Sequence, residues 1–433
     1  MVKDLPGNKK GSYKLGDITY LLWLKKILKK VLPKHIIQWL NRRKENVQYR
    51  SWRILWSIQE QTMPQKYCHD PYETNKYYWV NPKKIRYRTS KEFHYFRDHN
   101  RVVGGIWDIP LLFFEDNDFL QAYSQRAKKG EQWSDTQYYR LYLAEILAGK
   151  VKWGCRNKEE WDKRCAMLDS IYQEIKSNGY HPQKIEDYIS VNIGRDGQLI
   201  FNNGRHRLTF CKLLEVSEIP VRITVRHAKW VMFKNQILEY TKSRGGKVYA
   251  PLTHIDLQSI PSVYGHKRYE LIQKNISAIH KGTVLDIGSH WGFFCHKFEE
   301  SGFDCLAVEN DPKNLYFLEK LKRAEERNFS VFNKSIFSLD LDNEKYDIVL
   351  ALAVFHHFTK EENTYNQLIH FLKNLHVGEM YFEPPDPEEP QMQNAFRNLN
   401  SREFVKFIIK NSCLSYFKQI GFAEDGRELY KIW

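Results

Sequence analysis

The C-terminal part of the chain alternates between short apolar runs and segments whose apolar positions recur with a helical period. The apolar runs predict buried strands over residues 283–285, 305–309, 330–335, 346–354, 379–383, 417–422 and 428–433. The periodic segments between them predict helices over residues 314–326, 363–375 and 403–411. Regular alternation of strand and helix, ended by two adjacent strands, predicts an α/β domain.

The first of these strands leads into a turn with two glycines. Residues 283–294 read TVLDIGSHWGFF, in which Asp286 ends the strand and Gly288 and Gly292 open a segment of helical spacing. Glycine lets the backbone approach a ligand closely, and the N–H groups of a helix start point at it. The second strand ends in Glu309, where a carboxylate can accept both hydroxyls of a ribose. These features predict a nucleotide-type cofactor, although a dinucleotide site has a similar pattern.

The order of elements and the D-x-G-x-x-x-G form of the loop together resemble the class I S-adenosylmethionine (SAM)-dependent methyltransferases. The resemblance covers about residues 255–433 and implies a Rossmann-like sheet, SAM as the cofactor and methyl transfer as the reaction. It assigns the cofactor to Asp286, Gly288, Ser289, Gly292, Glu309 and Ser335. The loop would hold the methionine part of SAM, the glutamate the ribose, and the serine, in the turn after the third strand, the adenine. The aspartate could instead be an ordinary carboxylate that caps the next helix.

Two histidines follow the fourth strand, at the carboxyl edge of the sheet where α/β proteins bind ligands. A methyltransferase holds the acceptor atom at attack distance and accepts its proton, and a histidine near its ordinary pKa suits the second task. His356 and His357 are therefore the candidate catalytic residues. The alternative is that one or both imidazoles pack beside the cofactor or cap the next segment.

The sequence around the fourth and fifth strands restricts the choice of acceptor. No Asn/Asp-Pro-Pro-aromatic tetrad follows the fourth strand, which counts against methylation of exocyclic amines in DNA bases. The proline-rich segment 382–390 cannot be helical, because each proline restricts the residue before it. It predicts a stiff acidic loop over the site, which is either solvated or contacts the acceptor through its carboxylates.

The middle of the chain contains a second set of alternating elements. The pattern predicts helices over residues 163–179 and 204–214 and strands over residues 188–193, 198–201 and 220–225. The second helix begins with Gly204, Arg205, His206 and Arg207. Free N–H groups, the helix dipole and two guanidiniums at one place suit a phosphate or another oxyanion. The alternative is that the arginines form structural ion pairs.

This second set resembles the ParB/sulfiredoxin-like nucleotide-binding fold over about residues 160–228, in which members share a G-x-x-R element at this turn. The resemblance implies an α+β domain with an anion site, and a nucleotide is the leading ligand. Arg205 stands where sulfiredoxins have their reactive cysteine, so their redox chemistry is not supported. The chain also continues into a methyltransferase-like region, whereas partition proteins continue into a helix-turn-helix domain.

Charge is distributed very unevenly along the chain. Residues 1–100 contain 22 Lys and Arg against 8 Asp and Glu, so they carry almost all of the net charge of +15. Residues 20–32 predict a basic amphipathic helix, which Pro33 ends. It is too short to span a bilayer, and no small-residue cleavage site follows it. Such a helix suits an anionic membrane surface, and the alternatives are packing onto the next domain or attraction to RNA.

These observations predict three parts and a cytoplasmic protein. The parts are a basic arm over 1–60, an anion- or nucleotide-binding domain over 61–250, and a SAM-dependent methyltransferase domain over 255–433. The aromatic-rich residues 61–160 are an elaboration of the second part, and residues 244–247 form the linker. Seven scattered cysteines without a C-x-x-C pair predict a reducing cytosol, with neither a disulfide framework nor a metal site. The basic arm further predicts that the protein associates peripherally with the inner face of the membrane.

The predicted function is SAM-dependent O-methylation of a phosphate-bearing or glycan-type small acceptor. In this interpretation the middle domain binds the anionic group of the acceptor. One alternative is methylation of RNA, with the basic arm as the tether. The other is a non-catalytic module that senses SAM or a nucleotide.

Overall fold

The computed structural model describes residues 76–94, 98–183, 187–277, 281–341 and 344–433. The basic arm predicted over residues 1–60 lies outside these ranges. The described residues form two seven-stranded sheets, one built from residues 78–227 and the other from residues 283–432. None of the described helices is both long and apolar enough to cross a membrane.

The N-terminal sheet is mixed. Its strands are β1 (Tyr78–Val80), β2 (Tyr87–Arg88), β3 (Arg101–Val103), β4 (Leu112–Phe113), β5 (Ile189–Ile193), β6 (Leu199–Asn203) and β7 (Ile219–His227). Their order is β1-β7-β5-β6-β2-β4, and β3 pairs with β7. Strand β5 is parallel to β7 and antiparallel to β6. The helices of this part are α1 (Asp118–Lys129), α2 (Gln137–Leu147), α3 (Lys158–Asn178), α4 (Arg205–Leu213) and α5 (Ala228–Lys242).

The elements predicted for the middle of the chain are confirmed, with shifts at their ends. Helix α3 starts five residues before the predicted helix, because the side chain of Asn157 accepts a hydrogen bond from the backbone of Glu160 and caps it. Gly179, with φ +80°, ends that helix as expected. Strand β7 is longer than predicted, and all nine of its residues are buried. Continuous burial is what a central strand covered on both faces requires.

The aromatic-rich segment before α3 has no clear period in its sequence, yet its described residues from 98 onwards are well packed. It contributes α1 and α2, which pack against each other and against α3 and α4. Phe119, Tyr138 and Trp161 are at most 2% exposed in the core that results. Large aromatic side chains thus supply much of the apolar area that this part of the domain buries.

The C-terminal sheet has the alternating plan that the sequence predicts. Its strands are β8 (Thr283–Ile287), β9 (Asp304–Val308), β10 (Ser330–Phe332), β11 (Lys345–Leu352), β12 (His376–Glu383), β13 (Phe417–Phe422) and β14 (Glu428–Ile432). The helices are α6 (Lys267–Asn275), α7 (Phe293–Glu300), α8 (Pro312–Ala324), α9 (Glu362–Asn374) and α10 (Ser401–Asn411). The order is β10-β9-β8-β11-β12-β14-β13, with β8 to β12 parallel and the final hairpin antiparallel.

The two sheets share a continuous apolar core. Trp230 and Tyr240 of α5 belong to the same buried cluster as Trp291 and Phe317 of the C-terminal part. The rings of Trp291 and Phe317 stack at 4.3 Å, and Tyr240 packs on both. A Cβ atom added to Gly197, in the turn before β6, would lie 2.5 Å from the Cβ of a residue in α8. The backbones of the two parts therefore approach as closely as elements within one domain do.

Candidate functional site: the glycine loop and the turn before α4

The glycine loop follows β8 and is fixed to the neighbouring strand. The N–H groups of Gly288 and Ser289 both donate to the carbonyl of Val308, at 2.9 and 3.0 Å. Gly288 has φ +71°, and Gly292, the N-cap of α7, has φ +81°, values that L side chains rarely adopt. No side chain caps α7. The alternative in which Asp286 is a helix cap is therefore wrong.

Asp286 lies beneath this loop and is 3% exposed. Burial raises the pKa of its carboxyl group to about 7. The thiol of Cys295 donates to its Oδ2 at 3.5 Å, which is a weak contact. A cationic ligand close to this carboxyl would favour its ionised form. The site therefore suits a positively charged ligand such as SAM, the cofactor that the resemblance implies.

The carboxylate of Glu309 ties the glycine loop to the end of β9. Its Oε2 accepts from the N–H of His290 at 3.0 Å, and its Oε1 accepts from the N–H groups of Asn310 and Asp311 at 2.9 and 2.8 Å. Burial raises the pKa of Glu309. A carboxylate has about four lone-pair positions, so three backbone bonds leave room for one further donor. The ribose contact expected from the sequence stays a prediction, and a loop-fixing role is added to it.

A narrow pocket lies between the glycine loop and residues 249–253, which cover it. The predicted cofactor residues that line it are Asp286, Gly288 and Ser289. Its enclosed volume is about 30 Å³, room for one or two water molecules. The other predicted site residues of this domain lie outside this lining; they are Gly292, Glu309, Ser335, His356 and His357.

Two buried charged residues lie beside this pocket: Arg268, which the sequence did not indicate, and Glu383, which belongs to the acidic segment 382–390. Arg268 of α6 lies with its guanidinium carbon 3.8 Å from the ring centroid of Tyr264, and its Nη1 donates to Glu383 at 3.3 Å. Burial raises the pKa of Glu383, the last residue of β12. The Nε of Arg268 and the Oε1 of Glu383 are buried, and neither has a hydrogen-bond partner among the described residues. Such atoms next to a pocket are candidates for ligand contacts.

The two candidate catalytic histidines occupy different environments. His356 is 3% exposed, and neither of its ring nitrogens has a hydrogen-bond partner among the described residues. Burial, followed by the neighbouring His357, lowers the pKa of His356 to about 3. His357 is exposed, and its Nδ1 lies 3.4 Å from the Nζ of Lys360. The expectation of a catalytic histidine with an ordinary pKa is therefore wrong for His356, which stays neutral.

The turn before α4 has the predicted backbone, but its arginines are paired. Gly204 has φ +92° and is the N-cap of α4. The Nη1 of Arg205 lies 3.2 Å from Asp118, and the Nη2 of Arg207 lies 2.5 Å from Asp187. Both arginine side chains keep roughly a third of their surface exposed. Ion pairing thus accounts for part of this charge, and anion binding at the turn stays a prediction.

Comparison with known proteins identifies the second sheet. Residues 284–374, which run from β8 to the end of α9, match the family described as "Methyltransferase domain". This part of the chain is a SAM-dependent methyltransferase domain. The Rossmann-like fold and the cofactor predicted from the glycine loop are thereby confirmed. The resemblance of the preceding domain to the ParB/sulfiredoxin-like fold stays a prediction.

One curated relative and two solved structures are similar to part of the chain. A stretch of 76 residues is 38% identical to the tRNA U34 carboxymethyltransferase of Dichelobacter nodosus (strain VCS1703A), which is 17% of this chain and 24% of that protein. The chain therefore spans about a quarter of this curated relative. The bifunctional kinase-methyltransferase WbdD is similar over 45% of each chain, with 16% identity and a TM-score of 0.38. The N-methyltransferase NodS from Bradyrhizobium japonicum WM9 is 14% identical, with a TM-score of 0.31, over 39% of this chain and 93% of its own.

The residues around the pocket of the methyltransferase domain fit SAM. The Oγ of Ser289 and the Nε of Arg268 are buried without partners, so both can bond to a polar ligand. A Cβ atom at Gly288 would lie 3.0 Å from Val354, so the loop needs a glycine to keep its form. The guanidinium of Arg268 suits the carboxylate of a methionine moiety. No cluster of His, Cys, Asp or Glu within the described ranges could hold a metal ion.

Buried histidines should make the protein sensitive to acid. Burial lowers the pKa of His296, in α7, to about 4, whereas an unfolded histidine ionises near pH 6.5. Between about pH 6.5 and pH 4, this histidine is protonated in the unfolded state and neutral in the folded state. Lowering the pH therefore favours the unfolded state, and stability is lost as the pH falls towards 4. For this residue the loss should reach about 2 kcal/mol at pH 5. Denaturant unfolding at pH 7 and pH 5 measures it.

Between pH 7 and pH 5 the variant His296→Phe should lose about 2 kcal/mol less of its free energy of unfolding than the wild type, because phenylalanine does not bind a proton. His370→Gln is the matched control, since His370 is exposed on α9. An equal fall in the free energy of unfolding of wild type and His296→Phe between the two pH values would contradict the assignment.

Proposed function

We propose that the chain transfers a methyl group from SAM to a hydroxyl of a small acceptor that carries a phosphate or a glycan. The observation that supports the proposal best is the buried polar group beside the glycine-loop pocket. There, Ser289 and Arg268 line the pocket and Glu383 is bonded to Arg268, and each carries a buried polar atom without a hydrogen-bond partner among the described residues. An apolar surface excludes water while a few polar atoms orient the ligand.

The residues of the chain would divide the work as follows. SAM, when bound, supplies a methyl group on a sulfonium. Asp286, ionised by the nearby positive charge, and Arg268 would hold the charged parts of the cofactor. Neutral His356 would accept a hydrogen bond from the acceptor hydroxyl and receive its proton, and the carboxylate of Glu383 would orient that hydroxyl, because both side chains have buried atoms able to accept a hydrogen bond.

The N-terminal domain would bind the anionic part of the acceptor at the turn before α4. Its net positive charge, its helix N-terminus and the partial exposure of Arg205 and Arg207 support this role. The basic arm over residues 1–60 would bring the enzyme to the inner face of an anionic membrane, so the proposed location is cytoplasmic and peripheral.

RNA methylation is the second candidate. It is favoured by the similarity of one stretch to a tRNA U34 carboxymethyltransferase and by the basic arm. A polyanionic acceptor would make binding strongly dependent on salt, because each neutralised phosphate releases counterions. A small acceptor with one or two phosphates should show a much weaker dependence.

Metabolite profiling of a deletion strain tests the proposal. We expect a small anionic species lighter by one methyl group to accumulate, and to disappear when the wild-type gene is restored. The variant Asp286→Ala should fail to remove it, because it lacks the carboxyl group beneath the glycine loop. If small-molecule extracts are unchanged and the missing methyl group is found in digested RNA, the second candidate replaces the first.

A further inference from the structure

A partly exposed tryptophan, Trp153, lies next to the first residues of α4. Lys152 and Cys155 pair as a two-residue hairpin, in which Trp153 has φ +46° and Gly154 has φ +86°. This is a type I′ turn, and a bulky residue at positive φ is a rare and strained choice. The Trp153 ring nevertheless stacks on Trp161 at 5.6 Å with an interplanar angle of 16° and stays 39% exposed.

Behind Trp153 lie four polar side-chain atoms that are buried and unpaired. They are the hydroxyl of Tyr138, the indole Nε1 of Trp161, the Nε of Arg164 and the Nε2 of His206, and none has a hydrogen-bond partner among the described residues. Tyr138 and Trp161 are 2% and 0% exposed. Buried polar atoms are nearly always paired in folded proteins, so four in one region need an explanation.

The four atoms belong to one place in the fold. They come from α2, α3 and α4, and the rings of Tyr138 and Trp161 lie 5.9 Å apart. The guanidinium of Arg164 lies 5.5 Å from the Trp153 ring centroid, and Phe119 contacts both His206, at 4.4 Å, and Tyr138. Helices α2, α3 and α4 therefore bring these side chains into one aromatic cluster beside Trp153.

The chemistry of these groups favours an acceptor-rich ligand. The hydroxyl, the indole N–H and the guanidinium N–H can all donate. Burial and the neighbouring Arg205 lower the pKa of His206 to about 3, so its ring is neutral and its Nε2 can carry a hydrogen. Arg205 also lies 5.8 Å from the Trp153 ring centroid. Donors from three helices suit a ligand that carries several acceptor oxygens, as a phosphate group does.

We propose that the N-terminal domain binds a phosphate group beneath Trp153, where Tyr138, Trp161, Arg164 and His206 donate to its oxygens. The inference rests on the anion-binding role proposed above and moves the ligand from the exposed arginines to the interior behind them. Trp153 is the cover of this site, and its hairpin opens to admit the phosphate. Arg207, which is partly exposed, then attracts the phosphate electrostatically and makes no direct contact with it.

Calorimetric titration of the full chain with inorganic phosphate, and in parallel with uridine diphosphate, tests the site. We expect Tyr138→Phe to weaken phosphate binding about tenfold, because one hydroxyl donor to a charged group is lost. The matched control is Tyr139→Phe on the same helix, in which the hydroxyl already donates to Asp162 at 2.5 Å. That control should bind phosphate like wild type. Tighter binding of uridine diphosphate than of phosphate would identify the source as a nucleotide.

Thermal unfolding supplies a second readout that a structural role for Tyr138 would not give. Without phosphate, Tyr138→Phe should unfold at the same or a higher temperature than wild type, because an unpaired buried hydroxyl is removed. Tyr139→Phe should unfold at a lower temperature. With phosphate, the wild type and Tyr139→Phe should gain stability, and Tyr138→Phe should gain much less.

The outcomes separate this inference from the proposed function. Phosphate binding that depends on Arg205 and Arg207 and is unchanged in Tyr138→Phe would overturn the buried site and leave anion binding at the turn in place. Absence of binding by either probe in wild type would overturn both. Trp153→Asn is a further check, since asparagine before glycine favours this turn. It should bind phosphate with a faster association rate, and an unchanged rate would contradict the role of Trp153 as a cover.

Discussion

Replacing Gly288 by valine should reduce the affinity for SAM by at least 100-fold. Gly288 has φ +71°, and a Cβ atom there would lie 3.0 Å from a Val354 methyl carbon. A branched side chain at positive φ costs about 1–3 kcal/mol, and overpacking against a neighbour costs a similar amount. The loop would have to leave the form that borders the pocket. About 3 kcal/mol corresponds to roughly two powers of ten in a dissociation constant, which calorimetry with SAM measures.

The matched control is Gly302→Val. Gly302 has φ +89°, and no atom lies within 4 Å of the position of its Cβ. The control therefore carries the backbone cost without the collision, and it lies in the turn between α7 and β9. We expect it to lose some thermal stability and to bind SAM normally. Equal affinity in Gly288→Val and wild type would show that SAM does not use this loop.

Replacing His356 by alanine should lower turnover about 10²–10⁴-fold and leave SAM affinity nearly unchanged, if its ring receives the acceptor proton. Because burial lowers its pKa to about 3, the ring is neutral throughout the usual assay range. The rate should therefore show no inflection near pH 6.5 and should fall only as the pH approaches 3, as far as the fold survives. Steady-state rates between pH 6 and pH 9 measure this.

His357→Ala is the neighbouring control. Its side chain is exposed, so its loss should affect turnover much less. A comparable loss of SAM affinity in His356→Ala would instead assign that ring to the wall of the cofactor pocket. Burial and the neighbouring Lys360 lower the pKa of His357. A rate that rises with a midpoint below pH 6.5 in wild type, and not in His357→Ala, would transfer the role to His357.

The sequence predicted the methyltransferase domain well because its signals are local. The apolar runs, the two glycines and the acidic end of the second strand each depend on a few adjacent residues. The predicted strand over 330–335 was too long, since β10 ends at Phe332, and the predicted helix over 314–326 starts earlier because Asp311 caps it. Errors of this size concern the ends of elements and leave the site unchanged.

The missed features depend on residues that are distant in the chain. Arg268 and Glu383 are separated by more than a hundred residues, and nothing near either one predicts their ion pair. The same holds for Arg205 and Asp118. The low pKa of His356 also follows from burial by several elements, so a histidine in a sequence could be assigned only its ordinary value. Local sequence patterns therefore predicted the backbone conformation, but they could not predict the ion pairs or the shifted pKa values.

Trp291 belongs to the glycine loop and to the core shared with α5. If the two domains shared no core, one of them could be exchanged for another without affecting its neighbour. In this protein, replacing the N-terminal domain would remove Tyr240 and the other side chains of α5 against which Trp291 of the glycine loop packs. A change in acceptor specificity should therefore be easier to obtain by substitutions within this pair of domains than by replacing one of the two.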